Sequence, residues 1–587
     1  MPKKPPTDPI LLQWIEVIRF SSVQDPLGLS GRGTARIARE LLPCITSITP
    51  RARYYSFIPW AVYDYQRREK DELLRSELNR AVSYREHALA LGCIAQHDGD
   101  RYPGGSLVGS RKARTWYRAH PDGEADFRKV KFVENSALSN YLKPLLNLGV
   151  FVTQDDLDTE DEEESQQPVN VELTDLGKML AERYDSHVKS LKAVEQIASP
   201  KRQCAVRLLK AWSTHGGLCE LAQPSAADRP LLHDMFFSRT RLKGKPELHR
   251  RRRHSLLLLL DLCRSLTQAG WVFNHATFAD AVYYREVSSD EEACTLQVPS
   301  ALNEIARRWQ MFYFHYYVSV ALEAMFSWLV ARLNDSGLAG ESVESLAATL
   351  DESRIRKELA ELLGVKLATS FGGTSPSSLL GLCGFPTGTL TPDLSKALDD
   401  AIRPASPLGE TLLEGCIYQD EYGQSPTMLA AALVLFAVTL GRYWQWEKTK
   451  YGNWLYAIAE NPHLDLTPPV ITYGLTRHFG DWWNRPWREL TPFILSRYVV
   501  RQHQRMANMR TDSGERCLLQ SNGSRLTASG RYDKIGISNP RFRSAVQILI
   551  DLGLLDRSNP EDGEKEVTLT AEGKRFLKAE LAEEQQA

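Results

Sequence analysis

Two short segments of the chain bring carboxylates and a histidine close enough in sequence to suggest acid–base or metal-dependent chemistry. ENPHLDLTP contains Glu460, His463 and Asp465, and QHDGDRY contains His97 followed by two aspartates. Carboxylate and imidazole groups serve as general acids, general bases and metal ligands in many hydrolases. Neither segment has the neighbouring strand and lysine of a common nuclease core. A divergent nuclease centred on Glu460, His463 and Asp465 therefore remains an alternative interpretation.

The sequence carries no recognisable motif for a cofactor or a metal. The glycine-rich run YPGGSLVGS lacks the Lys-Ser/Thr pair of a phosphate-binding loop, and the spacing of Cys204, His215 and Cys219 fits no common zinc site. A dinucleotide-binding fingerprint and a G-x-S-x-G nucleophile motif are also missing from the sequence. We therefore expect no cofactor and no metal, and the sequence favours a non-catalytic function.

A strongly basic segment, RTRLKGKPELHRRRR, spans Arg239 to Arg253 and contains eight Lys and Arg residues against the single acid Glu247. Pro246 predicts the start of a helix. The second turn of that helix then consists of Arg250, Arg251, Arg252 and Arg253. Successive helical residues are rotated by about 100°, so four consecutive arginines surround the axis. We expect this turn to project from the body and to bind DNA; the alternative is a solvated basic surface.

A second candidate for DNA binding lies near the C-terminus, in the predicted helix SNPRFRSAVQILIDLGLL. Its apolar side chains fall on one face, and the predicted exposed face carries Arg541, Arg543, Ser544 and Gln547. The span from Arg501 to Arg543 holds nine Lys and Arg residues against three carboxylates. This surplus favours contact with phosphate. The alternative is a protein-docking module.

The helix just described belongs to a pattern that occurs twice in the chain. ENSALSNYLKPLLNLGV and SNPRFRSAVQILIDLGLL are each followed by two β-rich pieces and then by a Leu-Thr-x-x-Gly turn into another helix. This order is typical of a winged helix. In the first copy, eight of the ten residues 155–164 are carboxylates. Such a wing should be repelled by a duplex, and we expect a solvated tip or a contact for a basic partner.

The elements that must position these residues are mainly helices. The predicted fold is mainly α with small β wings, in a multidomain protein with two winged-helix-like units. The predicted divisions are a disordered tail (1–9), an N-terminal helical domain (10–198, with a unit at about 135–185), a central helical domain (199–460) and a C-terminal domain (461–587, with a unit at about 500–580). The aromatic helix at 302–333 should be buried in a core or against a partner. The Gly/Ser/Pro-rich stretch 369–393 predicts a long surface loop.

Overall composition restricts the partners and the compartment. The formal net charge is −1, so any nucleic-acid surface must be a local patch. The nine cysteines are scattered and odd in number, which indicates reduced thiols and a cytoplasmic protein. Apolar runs such as 428–438 are too short to cross a bilayer, so we expect no membrane segment.

The run LLPCITSITPRARYYSFIPWAVYDY resembles the N-terminal signature of a family of large, uncharacterised bacterial proteins that are often found near anti-phage defence genes. The blocks RRWQMFYFHYYVSVALEAMF and NPRFRSAVQILIDLGLL followed by VTLTAEG are also similar. The resemblance implies an accessory, DNA-engaging or scaffolding subunit of a multi-gene system. Within the motif we expect the aromatic rings to pack a core and Arg51 and Arg53 to pair with acidic groups.

These observations together predict a non-catalytic DNA-binding or scaffolding subunit. Its expected partners are DNA or a nucleoprotein, and other proteins that supply the catalysis. A nuclease with a divergent centre and a pure protein-interaction scaffold remain the alternatives.

Overall fold

The structure is a computed structural model. It describes residues 25–29, 34–46, 50–68, 75–100, 102–103, 107–133, 137–153, 171–237, 246–289, 291–419, 425–447, 466–510, 517–532, 535, 541–558 and 566–586.

The N-terminal part of the chain is built around two long helices, α2 and α3, that pack against each other. The helices of this part are α1 (Ala35–Leu41), α2 (Tyr54–Arg68), α3 (Arg75–Gln96), α4 (Ser110–Ala119), α5 (Ala137–Asn147), α6 (Asp175–Val188), α7 (Lys192–Ala198), α8 (Val206–Gly216) and α9 (Arg229–Phe237). Its strands are β1 (Glu124–Asp126), β2 (Phe151–Thr153), β3 (Val171–Leu173) and β4 (Gln203–Ala205). They pair antiparallel, β1 with β4 and β2 with β3.

The central part is organised by a single long helix, α12, which carries the aromatic block. The helices here are α10 (Pro246–Gln268), α11 (His275–Tyr283), α12 (Asn303–Ser336), α13 (Val343–Ala348), α14 (Ser353–Leu363), α15 (Pro376–Leu382), α16 (Pro392–Ala401), α17 (Glu410–Gln419), α18 (Pro426–Gly441) and α19 (Tyr443–Glu447). The strands are β5 (Glu286–Ser288), β6 (Ala293–Thr295) and β7 (Glu341–Ser342). Helix α12 is buried on all sides from Trp309 to Val330, and it packs along α18.

The C-terminal part begins with a near-continuous helical run. Its helices are α20 (Pro468–Phe479), α21 (Trp487–Ile494), a π-helix (Leu495–Val500), α22 (Arg501–Met509), α23 (Phe542–Asp551) and α24 (Ala571–Gln586). Its strands are β8 (Leu519–Asn522), β9 (Arg525–Ala528), β10 (Leu555–Ser558) and β11 (Glu566–Leu569). Strand β9 pairs with both β8 and β7, which joins this part to the central part.

One apolar stretch of the described residues, from Pro426 to Glu447, is long enough to cross a membrane. It comprises α18 and α19, and 89% of its most apolar window is buried inside the protein. Its side chains pack against α12, α14 and α17. The stretch is therefore packed as a core helix of the described fold.

The two predicted repeats have the same local geometry, atom for atom, where each first helix ends. Gly149 and Gly553 end α5 and α23 with φ of +67° and +74°, a conformation that favours glycine. In the first unit the amides of Gly149 and Val150 donate to carbonyls of the preceding turn, at 2.9 Å each. The corresponding amides of Gly553 and Leu554 do the same at 2.8 and 2.9 Å.

The start of the second helix is also the same in the two units. The Thr174 hydroxyl donates to Gly149 O at 2.6 Å and accepts from the Gly177 amide at 3.1 Å. Thr570 makes the equivalent bonds at 2.7 and 2.9 Å. The threonine therefore caps the second helix and ties it to the end of the first. Each unit is a helix, an antiparallel hairpin and a helix.

The coarse fold prediction is confirmed: the described chain is mainly helical with small sheets. The aromatic helix is buried, as expected. The prediction of a long loop at 369–393 is wrong, because it contains α15. Ser375 caps that helix and Pro376 occupies its first turn, so residues typical of loops here form a helix start.

Candidate nucleic-acid interface

The prediction that the arginine turn of α10 projects from the body is wrong. Helix α10 begins at Pro246 as expected, but Arg252 and Arg253 are buried. Arg251 is half-buried and pairs with Glu40 at 3.1 Å. Only Arg250 of the four is exposed.

Each buried arginine of this turn has partners elsewhere in the chain. The Arg252 guanidinium donates to the carbonyls of Phe236 and Met235, at 3.0 and 2.8 Å, and so caps the end of α9. Arg253 is paired with Glu580 and Glu584 of α24. Most of the positive charge of this turn, which we expected at the surface, is therefore paired with groups inside the fold.

The prediction of an exposed polar face on α23 is also wrong for two of its four residues. Ser544 and Gln547 are buried. Arg541 is half-buried, and its guanidinium donates to the carbonyls of Leu42 and Ile45. Arg543 remains exposed. The outer face of this unit lies against its own chain.

The arginines of the N-terminal motif pair with acidic groups, as expected. Arg51 Nε lies 2.9 Å from Oδ2 of Asp551, and both side chains are buried. Arg53 forms a two-pronged pair with Asp228, at 3.2 Å for each nitrogen, and donates to Gly217 O at 2.8 Å. Its guanidinium also lies over the Tyr184 ring. These arginines are structural groups of the core.

Of the two clusters considered for catalysis, only the one at His97 lies among the described residues. Glu460, His463 and Asp465 lie outside the described residues. His97 Nε2 lies 3.5 Å from the Cys219 sulfur. Burial raises the pKa of Cys219 to about 12 and lowers that of His97, so the thiol is not activated at neutral pH. Within the described ranges, His, Cys, Asp and Glu side chains form no group of three that could hold a metal.

The first unit presents the helix face that the second unit buries. Counting back from the two helix-ending glycines pairs Asn140 with Ser544, Lys143 with Gln547, and Asn147 with Asp551. The second member of each pair is buried. In the first unit Lys143 and Asn147 are exposed and Asn140 is half-buried. The N-terminal unit, not the C-terminal one, therefore has an accessible polar face on its first helix.

Helix α4 and the segment after it carry an exposed group of cations near this helix. The residues 110–131 include seven Lys and Arg against three carboxylates. We call the exposed cations of this segment other than Arg128, together with the lysine of α5, the N-terminal basic face: Arg111, Lys112, Arg118, Lys129, Lys131 and Lys143. Arg128 is excluded because its guanidinium binds Asp126 through two bonds, of 2.9 and 2.8 Å, and holds the pKa of that carboxyl well below its usual range.

The elements of this face are joined by direct packing. A Cβ on Gly109, just before α4, would lie 2.8 Å from Phe132 O, so the start of α4 touches the strand of chain that leads to α5. The Phe132 ring contacts Trp116 of α4 and His87 of α3. Helix α3 packs against both α4 and α5. Helix α3 therefore supports both α4 and α5, the two helices that carry four of the six cations.

The sequence interpretation missed the cations of residues 110–131, although a signal was present. The segment 110–131 has seven cations and three acids, an excess comparable to those of the basic segments 239–253 and 501–543. Within α4 only Ala113 is buried, so the helix is amphipathic with a wide polar side. A search for long arginine runs overlooks cations that are dispersed over one helix and a turn.

Comparison with known proteins gives no further guide to this surface. No protein-family model, no curated protein and no solved structure matches the chain.

Proposed function

We propose that the chain is a non-catalytic DNA-binding or scaffolding subunit that contacts duplex DNA through the N-terminal basic face. The observation that carries the proposal is the exposure of all six cations of that face, with α4 and α5 both packed against α3. Both places predicted earlier, in α10 and α23, are largely buried in internal contacts.

The proposal includes a winged-helix-like role for the first unit. In such units the helix before the hairpin can enter the major groove, and flanking cations contact phosphates. Lys143 and Asn147 are exposed on α5, and amide and ammonium groups are suitable donors to base edges or phosphates. The second unit serves as a docking module for its own chain, through Asp551 and the buried face of α23.

The resemblance to proteins found near anti-phage defence genes adds the expectation of protein partners that supply the catalysis. Scaffolding fits the long-range contacts of the chain, since α10 binds α24 and α2 is tied to α23. Such contacts hold distant segments in one rigid arrangement.

The test is a binding titration of the full-length protein with a fluorescein-labelled DNA duplex at several salt concentrations. The variant Arg111→Gln/Lys112→Gln/Arg118→Gln should bind at least about tenfold more weakly at low salt, and the slope of log K against log salt should fall by about 2 to 3. The matched control is Arg356→Gln/Lys357→Gln/Lys366→Gln, which removes three exposed cations from and after α14.

The control variant should keep the affinity and the slope of the wild-type protein. Equal affinity of the Arg111, Lys112 and Arg118 variant and the wild type at every salt concentration would exclude this face. A wild-type protein that binds no duplex at low salt would leave only the scaffolding part of the proposal.

A further inference from the structure

A second surface of the protein combines exposed aromatic rings with arginines, and it involves none of the residues proposed above. It is formed where α20 packs against α21 and the π-helix. A Cβ on Gly474 of α20 would lie only 2.3 Å from the Tyr498 hydroxyl oxygen, so the absence of a side chain allows this packing. The Tyr498 hydroxyl donates to Ile471 O at 3.1 Å, and this bond fixes the position of the tyrosine side chain.

This packing brings the rings of His478 and Phe493 and the Arg497 guanidinium together, and Tyr473 lies on the same helix as His478. The rings of His478 and Phe493 stack with centroids 4.4 Å apart and planes inclined by 18°. The Arg497 guanidinium lies 6.0 Å from the Phe493 centroid, and its Nε is 3.8 Å from the Cβ position of Gly474. Tyr473, the residue before Gly474, is 66% exposed, more than any other large hydrophobic side chain of the described residues.

The charges of this region are strongly one-sided. Residues 466–510 contain seven arginines and only two carboxylates. Arg477, Arg497 and Arg501 are exposed, and no carboxylate within the described part of the chain lies within 4 Å of them. Tyr473, Arg477, His478, Phe493, Arg497 and Arg501 form what we call the arginine–aromatic face.

An exposed ring beside exposed arginines suits a ligand that offers both a flat π-surface and negative charge. Unpaired nucleobases offer a flat π-surface for Tyr473, and their phosphates offer charge for the arginines. In a duplex the bases are stacked on each other and present only their edges. An acidic peptide would satisfy the arginines but would gain nothing from the exposed ring.

We propose that the arginine–aromatic face binds single-stranded nucleic acid, with a base stacked on Tyr473 and phosphates bound by Arg477, Arg497 and Arg501. This site is separate from the duplex-binding face and does not depend on it. The protein then holds paired and unpaired nucleic acid at two different places.

The test uses full-length protein and fluorescein-labelled oligothymidylate of about 20 nucleotides, longer than one aromatic-lined site needs. The second probe has the same number of phosphates but abasic sites throughout. Tyr473→Ala should weaken oligothymidylate binding by about fivefold or more, as expected for the loss of one stacked base, and should leave binding of the abasic probe unchanged. Tyr473→Phe keeps the ring and should bind like the wild type.

The charge part of the site is tested with Arg477→Gln/Arg497→Gln, which should weaken binding of both single-stranded probes. The matched controls are Tyr418→Ala, which removes another exposed tyrosine, and Arg356→Gln/Lys357→Gln. Neither control should change binding. The Arg111, Lys112 and Arg118 variant should lose duplex binding and keep oligothymidylate binding, which separates failure of one proposal from failure of the other.

Three results would overturn the single-strand proposal. The first is that the wild type binds the abasic probe as tightly as oligothymidylate. The second is that Tyr473→Ala binds oligothymidylate as tightly as the wild type does. The third is that polyglutamate displaces oligothymidylate as effectively as unlabelled oligothymidylate does at equal charge. The last result would assign the face to an acidic protein instead.

Discussion

The Asp551 carboxylate accepts two hydrogen bonds from residues that are about 500 positions away in sequence: Oδ2 lies 2.9 Å from Arg51 Nε and 2.9 Å from the Ala52 amide. Its other oxygen accepts from the Gln547 amide group at 2.9 Å. One carboxylate therefore binds a charge and caps the backbone just before α2. Because the pair is buried, its removal leaves an unpaired charge in the core.

Asp551→Asn should lower the free energy of unfolding by about 3 kcal/mol or more, since Arg51 then lacks its counter-charge. Urea unfolding measures this loss. Asp556→Asn changes an exposed aspartate of the same unit and should have almost no effect. If both variants unfold at the same urea concentration as the wild type, the pair is not a structural support.

Arg253→Ser should destabilise the protein because Glu580 and Glu584 lose the cation that they surround. Breaking a buried pair costs about 3 to 5 kcal/mol. Arg250→Ser removes an exposed arginine of the same turn and should leave the unfolding midpoint unchanged. Thermal unfolding of the two variants compares them directly, and equal stability would contradict the internal role of Arg253.

Gly177→Ala and Gly573→Ala should each destabilise the unit in which they lie. The added Cβ would be 2.3 Å from Val150 O in the first unit and 2.1 Å from Leu554 O in the second. Forcing such contacts apart costs about 1 to 3 kcal/mol. Gly415→Ala is the control, because nothing lies within 4 Å of its Cβ position in α17, and it should be neutral or slightly stabilising. Chemical unfolding gives the three values.

Glu323→Gln should make stability less dependent on pH. Burial raises the pKa of Glu323 to about 8, and the Tyr532 hydroxyl donates to its Oε2 at 2.6 Å. Between the ordinary pKa of about 4.5 and the raised pKa of about 8, the unfolded chain releases this proton while the folded protein retains it, so stability falls as pH rises. The glutamine has no such proton, and the variant should unfold at a higher temperature than the wild type at pH 8.

At pH 4, below both pKa values, the Glu323→Gln variant and the wild type should have similar melting temperatures. Glu361→Gln, at an exposed position of α14, should match the wild type throughout. A wild-type advantage that grows toward pH 8 would mean that Glu323 is ionised and paired in the folded protein.

Replacing the carboxylates of residues 155–164 with Asn and Gln should tighten duplex binding several-fold at low salt. These eight charges repel phosphate, and their removal raises the local potential near the N-terminal unit. The difference should shrink at high salt, where screening is strong. Anisotropy titrations against salt measure it, and weaker binding by the neutral variant would indicate that the acidic segment helps the complex.

Local sequence patterns predicted much of the local structure. The Leu-Thr-x-x-Gly pattern located both helix starts, since Thr174 and Thr570 cap their helices through bonds within the motif. The start of α10 at Pro246 likewise depends only on residues next to it. Such features are determined by groups a few positions apart.

The sites could not be predicted in the same way, because their charges are satisfied over long distances. Arg253 meets Glu580 at a separation of 327 residues. The polar residues Ser544 and Gln547 resemble a solvent-facing stripe, yet both are buried in a helix that packs against α10 and residues 218–222. Periodicity identifies a polar face but does not distinguish water from a polar partner inside the fold.

The separation between Arg253 and Glu580 has a consequence for synthesis. At about 5 to 20 residues per second, the ribosome needs roughly 16 to 65 seconds to add the residues between them. During that interval the nascent chain carries the Arg253 charge without its carboxylates, beside three further arginines. The order of translation thus exposes, for tens of seconds, a basic segment that the finished protein encloses.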